Sequence, residues 1–336
     1  MQLQNFLVLG AGSWGTALAL YVARLQHRVI LWGHHADEIN AMQSKRENAR
    51  YLPGFSFPPS LSVSADLNEA FAQIGETATI LIVVPSYAFK DLIIRIKPIL
   101  TIKMNILWGT KGLTQDSQFL NSICQQHCAH IPHGVISGPS FAKEVACGLP
   151  TAISIASDTP SFGEQMQQAF HSEIFRVYLS QDLIGVQLGG VVKNVLAIAV
   201  GMSDGLGFGA NARAALITRG FAELCRLGKA LGAQLPTLMG LSGMGDIVLT
   251  CTDNQSRNRR FGLALGEGRG IVDAEKAIGQ VVEGKTNVKQ VMALAARAGV
   301  EMPICQQVHA VIYDGILPHQ AMNNLVTRSP KNENIS

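Results

Sequence analysis

The chain has 336 residues, enough for two domains and a large core. It is 47% hydrophobic and 15% charged, with a formal net charge of +3. That balance argues against nucleic acid or an anionic membrane as a partner, and for a soluble protein that spends its few basic residues on particular tasks.

The first 23 residues carry no charged side chain, a length that could cross a bilayer. They lack the basic start of a signal peptide, and Gly10, Gly12 and Gly15 interrupt them. The first apolar run, "NFLVLG", leads straight into "GAGSWG", a G-x-G-x-x-G pattern between a strand and a helix that opens at about Trp14. In that setting Gly10 makes the tight turn, Gly12 lets backbone approach a pyrophosphate and Gly15 permits close helix–strand packing. About twenty residues on, an NAD-specific site places an acid against the ribose 2′-hydroxyl. Here "LWGHH" puts His34 and His35 at that place, and Lys45, Arg46 and Arg50 follow as sources of positive charge. The expected cofactor is therefore NADP or NAD, with the 2′-phosphate not repelled.

Further short runs, "HRVILWG", "SLSVSAD", "ATILIVVPS", "MNILWGTKG", "HGVISGPS", "PTAISIAS" and "FRVYLS", alternate with amphipathic stretches such as "YAFKDLIIRIKPIL". Continuous apolar strands interleaved with helices predict a parallel sheet covered on both faces. "GTKG" sets Lys111 just past the carboxyl end of a strand, where ligands of such sheets bind. "SGPSFAKE" is another strand-to-helix turn, offering Gly138, Ser140 and the backbone at Ala142 to polar groups of a ligand. "CQQHCAHIPH" contains Cys124, His127 and Cys128, but a structural zinc site needs a second paired half and none follows. No metal is expected. The six cysteines, with no export signal, read as reduced thiols in a cytoplasm.

From about residue 181 the strand signal stops and long Ala/Leu/Gly-rich helical segments take over, as in "ARAALITRGFAELCRLGKAL" and "TNVKQVMALAARAG". The fold class is α/β: a Rossmann-type doubly wound domain over 1–180, an all-helical domain over 181–328 and a polar tail over 329–336. Between Leu183 and Ser203, Lys193 is the sole formally charged residue. Spanning a membrane there would place an ammonium at mid-bilayer, at a cost of roughly 2.5–3.5 kcal/mol, so stable insertion is not expected. In a helix, Gly189 and Gly190 lie at i−4 and i−3, on the side toward which the lysine leans, and leave room for its ammonium and a small molecule. Desolvation lowers a lysine pKa toward neutrality, which suits a proton donor; a snorkelling lysine or a structural ion pair is the alternative.

Asp246, in the glycine-punctuated "LSGMGDIVLTC", is a candidate partner for that lysine. In "NQSRNRR", Ser256, Arg257, Asn258, Arg259 and Arg260 alternate short hydrogen-bonding residues with guanidinium groups, a composition that suits a phosphate. Glu283 lies in a further glycine turn, "VVEG", whose spacing alone assigns it nothing.

Taken together, "GAGSWGTALA", "GTKG", "SGPSFAKE", "GVQLGGVVKNVLAIAVGMSDGLGFGANARAALITRG", "GMGDIVLTCTDNQSRNRRFG" and "VVEG" resemble the bacterial NAD(P)-dependent glycerol-3-phosphate dehydrogenases, in consistent order from about residue 5 to residue 315. The resemblance implies reduction of dihydroxyacetone phosphate to sn-glycerol 3-phosphate, feeding phospholipid synthesis. It implies that Lys193 is the catalytic acid/base and that Lys111, Gly138, Ser140, Asp246, Ser256, Arg257 and Asn258 line the substrate. It assigns the cofactor to Ser13, Trp14, His34, Lys111, Ala142, Arg257, Val281 and Glu283, with His35 beside them. A β-hydroxyacid dehydrogenase shares this plan but has no use for "NQSRNRR"; a non-catalytic NAD(P) sensor has no use for Lys193. A small phosphorylated substrate and a homodimer through the apolar helices are the expected partners.

Overall fold

A computed structural model describes residues 3–329. The expected polar tail lies, past Ser329, outside the described residues. The chain divides into two compact units: one comprises residues 1–114 and 118–183, the other residues 115–117 and 184–336.

The first unit is built on a sheet of eight strands: β1 (Asn5–Leu9), β2 (Arg28–Trp32), β3 (Leu61–Ser64), β4 (Thr79–Ile82), β5 (Asn105–Trp108), β6 (His133–Ser137), β7 (Thr151–Ser157) and β8 (Phe175–Ser180). Their spatial order is β3-β2-β1-β4-β5-β6-β7-β8, so the order reverses between β1 and β4. Phe6 to Leu9 and Ile80 to Ile82 are fully buried, which is why these strands are continuous apolar runs rather than alternating ones. The helices of this unit are α1 (Ser13–Arg24), α2 (Ala36–Lys45), α3 (Leu67–Ile74), α4 (Ser86–Ile96), α5 (Leu120–Cys128), α6 (Ala142–Cys147) and α7 (Pro160–Phe170). The all-parallel expectation needs one correction, because β7 runs antiparallel to β6. The six-residue α6 that joins them packs against α1 instead of crossing the sheet, so the chain re-enters from the other end.

The apolar run that ends at Ala23 is divided within the described residues: β1 and α1 are separate elements meeting at the Gly10–Gly12 turn. Residues Gly15 to Ala23 of α1 are all buried, so its apolar circumference is covered on every side.

The second unit is helical: α8 (Leu183–Gly205), α9 (Gly209–Ala230), α10 (Leu235–Met239), α11 (Asp246–Thr252), α12 (Arg257–Gly266), α13 (Ile271–Ile278), α14 (Glu283–Ala298), α15 (Pro303–Tyr313) and α16 (Pro318–Val326). Its core is α8, whose most apolar window is 94% buried inside the protein, the position of a core helix. Glycines set how close its neighbours come. A side chain at Gly201 or Gly205 would strike the backbone of α12, and one at Gly262 or Gly266 would strike that of α8. The two helices therefore touch backbone to backbone.

Candidate active site

The nucleotide end lies wholly in the first unit, at the carboxyl end of β1, where the strand order reverses and doubly wound sheets take their ligands. Gly10 has φ +122°, and a Cβ there would stand 2.5 Å from the Val83 carbonyl oxygen. A Cβ on Gly15 would collide with the Gly10 carbonyl. Gly12, by contrast, faces open space, with no atom within 4 Å of where a Cβ would be. Two of the three glycines thus serve packing, and the third leaves a cradle at the start of α1, whose first N–H groups face outward for an anion. Trp14 lies against Gly109, and its buried indole Nε1 has no hydrogen-bond partner among the described residues. An outward backbone cradle and a spare buried donor fit a dinucleotide.

Asn48, a residue that sequence reasoning passed over, braces this turn. Asn48, fully buried, donates from Nδ2 to the Ala11 carbonyl (2.9 Å) and to Thr16 Oγ1 (2.8 Å), and its Oδ1 accepts from Tyr51 N (3.1 Å). Ser13 Oγ donates to the Tyr51 carbonyl at 2.7 Å. The "REN" of "KRENARY" held the only hint, an asparagine among charged residues. His34 and His35 are exposed just past β2, their ring centroids 3.8 Å apart. The nearest acids, Asp37 and Glu38, come a few residues later, in the first turn of α2.

At the next strand ends, Lys111 Nζ donates to the Gly138 carbonyl (3.2 Å), and Ser140 Oγ donates to the same oxygen (3.0 Å). The turns after β5 and β6 are thereby joined. Gly138 has φ +144° and sits against Ile153, a place no side chain would fit easily. Ala142 opens α6 directly beyond.

The second unit holds Lys193. Its ammonium is 2.7 Å from Asp246 Oδ1 and 3.0 Å from Thr250 Oγ1, and Thr250 in turn donates to Asp246 (3.3 Å). The Lys193 side chain is 10% exposed and that of Asp246 1%. A buried ammonium in apolar surroundings is compensated by a buried carboxylate, and the residual opening is on the lysine side. Asp246 is the first residue of α11, where helix N–H groups favour a negative charge. It is delivered there by a π-helical turn, Leu241–Gly245, an irregularity common at functional sites. The space expected beside Gly189 is not open: a Cβ there would strike the Ser242 carbonyl. That glycine lets the π-helical turn press onto α8, which carries Asp246 to Lys193. Thr250 was missed, although its i+4 spacing from Asp246 in "DIVLT" is the helical signal for it.

Beside Lys193, Asn194 Oδ1 accepts from Asn258 Nδ2 (2.8 Å), and Asn194 Nδ2 donates to Asn287 Oδ1 (2.9 Å). Asn258 Oδ1 accepts from Gly284 N (2.9 Å). These amides tie α8, α12 and α14 together and place the start of α14, with Val281 and Glu283, next to the start of α12. Ser256 caps α12 through the Arg259 N–H, and Arg257, half-buried, donates to Gln280 Oε1 (3.3 Å). Arg259 does not join them as a phosphate ligand. Its guanidinium is buried against Asp204 (2.5 Å), the Cys251 carbonyl (3.0 Å) and Asn254, and Asp204 also pairs with Arg213. Cys251 is inert as a nucleophile, because complete burial pushes its thiol up to about 12 despite the nearby Lys193 and Arg259. Cys124 and Cys128 are buried on α5, and among the described residues no group of three or more His, Cys, Asp or Glu is placed to hold a metal.

A doubly wound sheet with a glycine cradle at its first strand, joined to a helical unit that buries a lysine–aspartate pair, is the build of a nicotinamide-dependent dehydrogenase. Two family models match the chain, described as the N-terminus (residues 5–163) and the C-terminus (residues 182–323) of NAD-dependent glycerol-3-phosphate dehydrogenase. The chain belongs to that family. It is 55% identical over 328 residues to a glycerol-3-phosphate dehydrogenase [NAD(P)+] of Thioalkalivibrio sulfidiphilus, covering 97% of this chain and 98% of that one. The Shewanella frigidimarina protein of the same name is 51% identical over 331 residues, covering 98% and 97%. A crystal structure of glycerol-3-phosphate dehydrogenase from Coxiella burnetii superposes with a TM-score of 0.94 at 50% identity, covering 97% of this chain and 99% of that one.

Proposed function

We propose that the protein reduces dihydroxyacetone phosphate reversibly to sn-glycerol 3-phosphate with NADPH or NADH, in the cytoplasm, supplying glycerol 3-phosphate for phospholipid synthesis. The observation that carries the reading is the buried Lys193–Asp246 pair, with its narrow opening on the lysine side. When bound, the reduced nicotinamide supplies the hydride. The chain supplies the proton and the positioning. Lys193 protonates the developing alkoxide, and its positive charge stabilises that oxygen in a site shielded from water. Asp246 holds the ammonium in place and Thr250 fixes the carboxylate. Arg257, with Ser256 and Asn258 at the start of α12, binds the substrate phosphate, so that remote binding energy orients the ketone. Lys111, Gly138 and Ser140 complete the substrate contacts.

The nucleotide is held by Gly10, Gly12, Ser13, Trp14, Gly15, His34, His35 and Ala142, with Lys111, Arg257, Val281 and Glu283 toward its reactive end. Residues 1–180 serve as the dinucleotide-binding domain and 181–328 as the substrate domain, and the working form is a homodimer. The test is absorbance at 340 nm while dihydroxyacetone phosphate is added to protein with NADPH and then with NADH. A fall in absorbance that depends on the phosphorylated ketone supports the reading. Oxidation with a β-ketoacid instead would replace the substrate, and nucleotide binding without any turnover would replace the enzyme with a sensor.

A further inference from the structure

The segment that carries the chain from α2 to β3 bears three cations after the dinucleotide turn, and the structure gives each a different occupation. Lys45 ends α2, about 13 Å along the helix from the end that adjoins β2. Arg46 is left-handed at φ 53° and spends its guanidinium on the Pro58 carbonyl (2.7 Å) and, more loosely, on that of Phe57. Arg50 turns back and pairs with Glu38 in the first turn of α2. Its backbone neighbour Tyr51 is fastened to the glycine turn through Ser13 Oγ, and Asn48 fastens the same stretch through Ala11 and Thr16. The stretch carrying Arg50 is thus tied to the glycine turn, and its guanidinium to the start of α2, the helix that follows β2; an arginine near that strand end accommodates an adenosine 2′-phosphate in sheets of this class. Its side chain is 63% exposed, open to a ligand, whereas that of Glu38 is 21% exposed.

We propose that Arg50 reads the 2′-phosphate of NADPH and that Glu38 is its exchangeable counter-ion, which sets how strongly NADPH is preferred over NADH. This inference rests on the dehydrogenase reading. With NADH bound, Arg50 keeps its carboxylate partner and the free ribose hydroxyls meet no unpaired charge. With NADPH bound, a phosphate carrying between one and two negative charges displaces the singly charged Glu38 and takes the bidentate face of the guanidinium. Both nucleotides are accepted, and the ion pair sets the balance between them.

The experiment is direct titration of NADPH and of NADH by nicotinamide fluorescence, with no ketone present, on the wild-type chain and on Arg50→Ala, Arg50→Lys and Glu38→Gln. The ratio of the two dissociation constants is the readout, since a merely structural role would move both together. Arg50→Ala should shift that ratio against NADPH by roughly tenfold, and Arg50→Lys should recover part of it. Glu38→Gln should shift it toward NADPH by about threefold, and added salt should erode the wild-type preference. Equal losses for both nucleotides in Arg50→Ala, or an unmoved ratio in Glu38→Gln, would overturn the assignment while leaving the dehydrogenase reading intact. A wild-type chain that binds neither nucleotide overturns both.

Discussion

The glycine turn of the first unit and the lysine pocket of the second solve the same problem, holding a charged partner, by opposite means. At the turn the chain presents backbone: two glycines let elements touch, one leaves space, and the positive charge is the end of α1 itself. At the pocket it presents side chains brought from separate helices, Lys193 of α8 against Asp246 and Thr250 of α11. Supporting them are the amides of Asn194, Asn258 and Asn287 and the Asp204–Arg259 pair. A site made of backbone needs a few residues in one place. A site made of buried charge needs compensation from many places, because each ion unpaired in the core costs several kcal/mol.

The sharpest break between the two is Lys193→Ala. Turnover should fall by about a thousandfold, near 4 kcal/mol of transition-state stabilisation, while NADH binding stays within twofold. Comparable losses in kcat and nucleotide affinity would mean that the lysine serves the fold. Next in size is Asp204→Asn, which leaves the buried Arg259 without its carboxylate; a loss of about 3 kcal/mol in urea unfolding is expected. Unchanged stability would show that the pocket does not depend on distant charge pairing.

A third test concerns Glu223, 2% exposed on α9 and accepting from Ile304 N (2.6 Å) and Cys305 N (3.3 Å) at the start of α15. Burial raises its carboxyl from 4.5 to about 7. A raised folded pKa means that its contribution is complete below about pH 4.5 and is lost as pH climbs through 7. Glu223→Gln should therefore gain on the wild type by roughly 1–3 kcal/mol between pH 5 and pH 8. Unfolding midpoints that run parallel across that range would remove the carboxyl from the account. The smallest effect belongs to the turn: Gly12→Ala should fold normally, because its Cβ meets nothing, yet bind NADH about tenfold more weakly by intruding on the cradle. Full affinity in that variant would show that the cradle is not where the pyrophosphate lies.

Much of this was readable in advance, and unevenly. All eight strands and the change to helices near 181 follow from local rhythm, and the turn at Gly10–Gly15 from spacing. Reversal of β7 was not readable, since strand direction depends on where a connection packs and not on the strand's residues. Lys193 stood out as a lone charge, and Asp246 as an acid among glycines. Thr250 and Asn194 did not, being ordinary residues whose partners are remote in sequence. Arg259 looked like its neighbour Arg257, and burial against Asp204 separates them. Glycine at 189 read as room and proved to be contact.

What the sequence determined by itself was the eight strands, the change to helices, the backbone turn and the identity of the charges, because propensity, period and glycine placement act over a few residues. Which charges are spent on the fold and which are left for chemistry was decided only by tertiary structure. Compensation of a buried ion depends on distance in space, and residues as far apart as 193 and 246 come within hydrogen-bonding range only when the helices that carry them have packed.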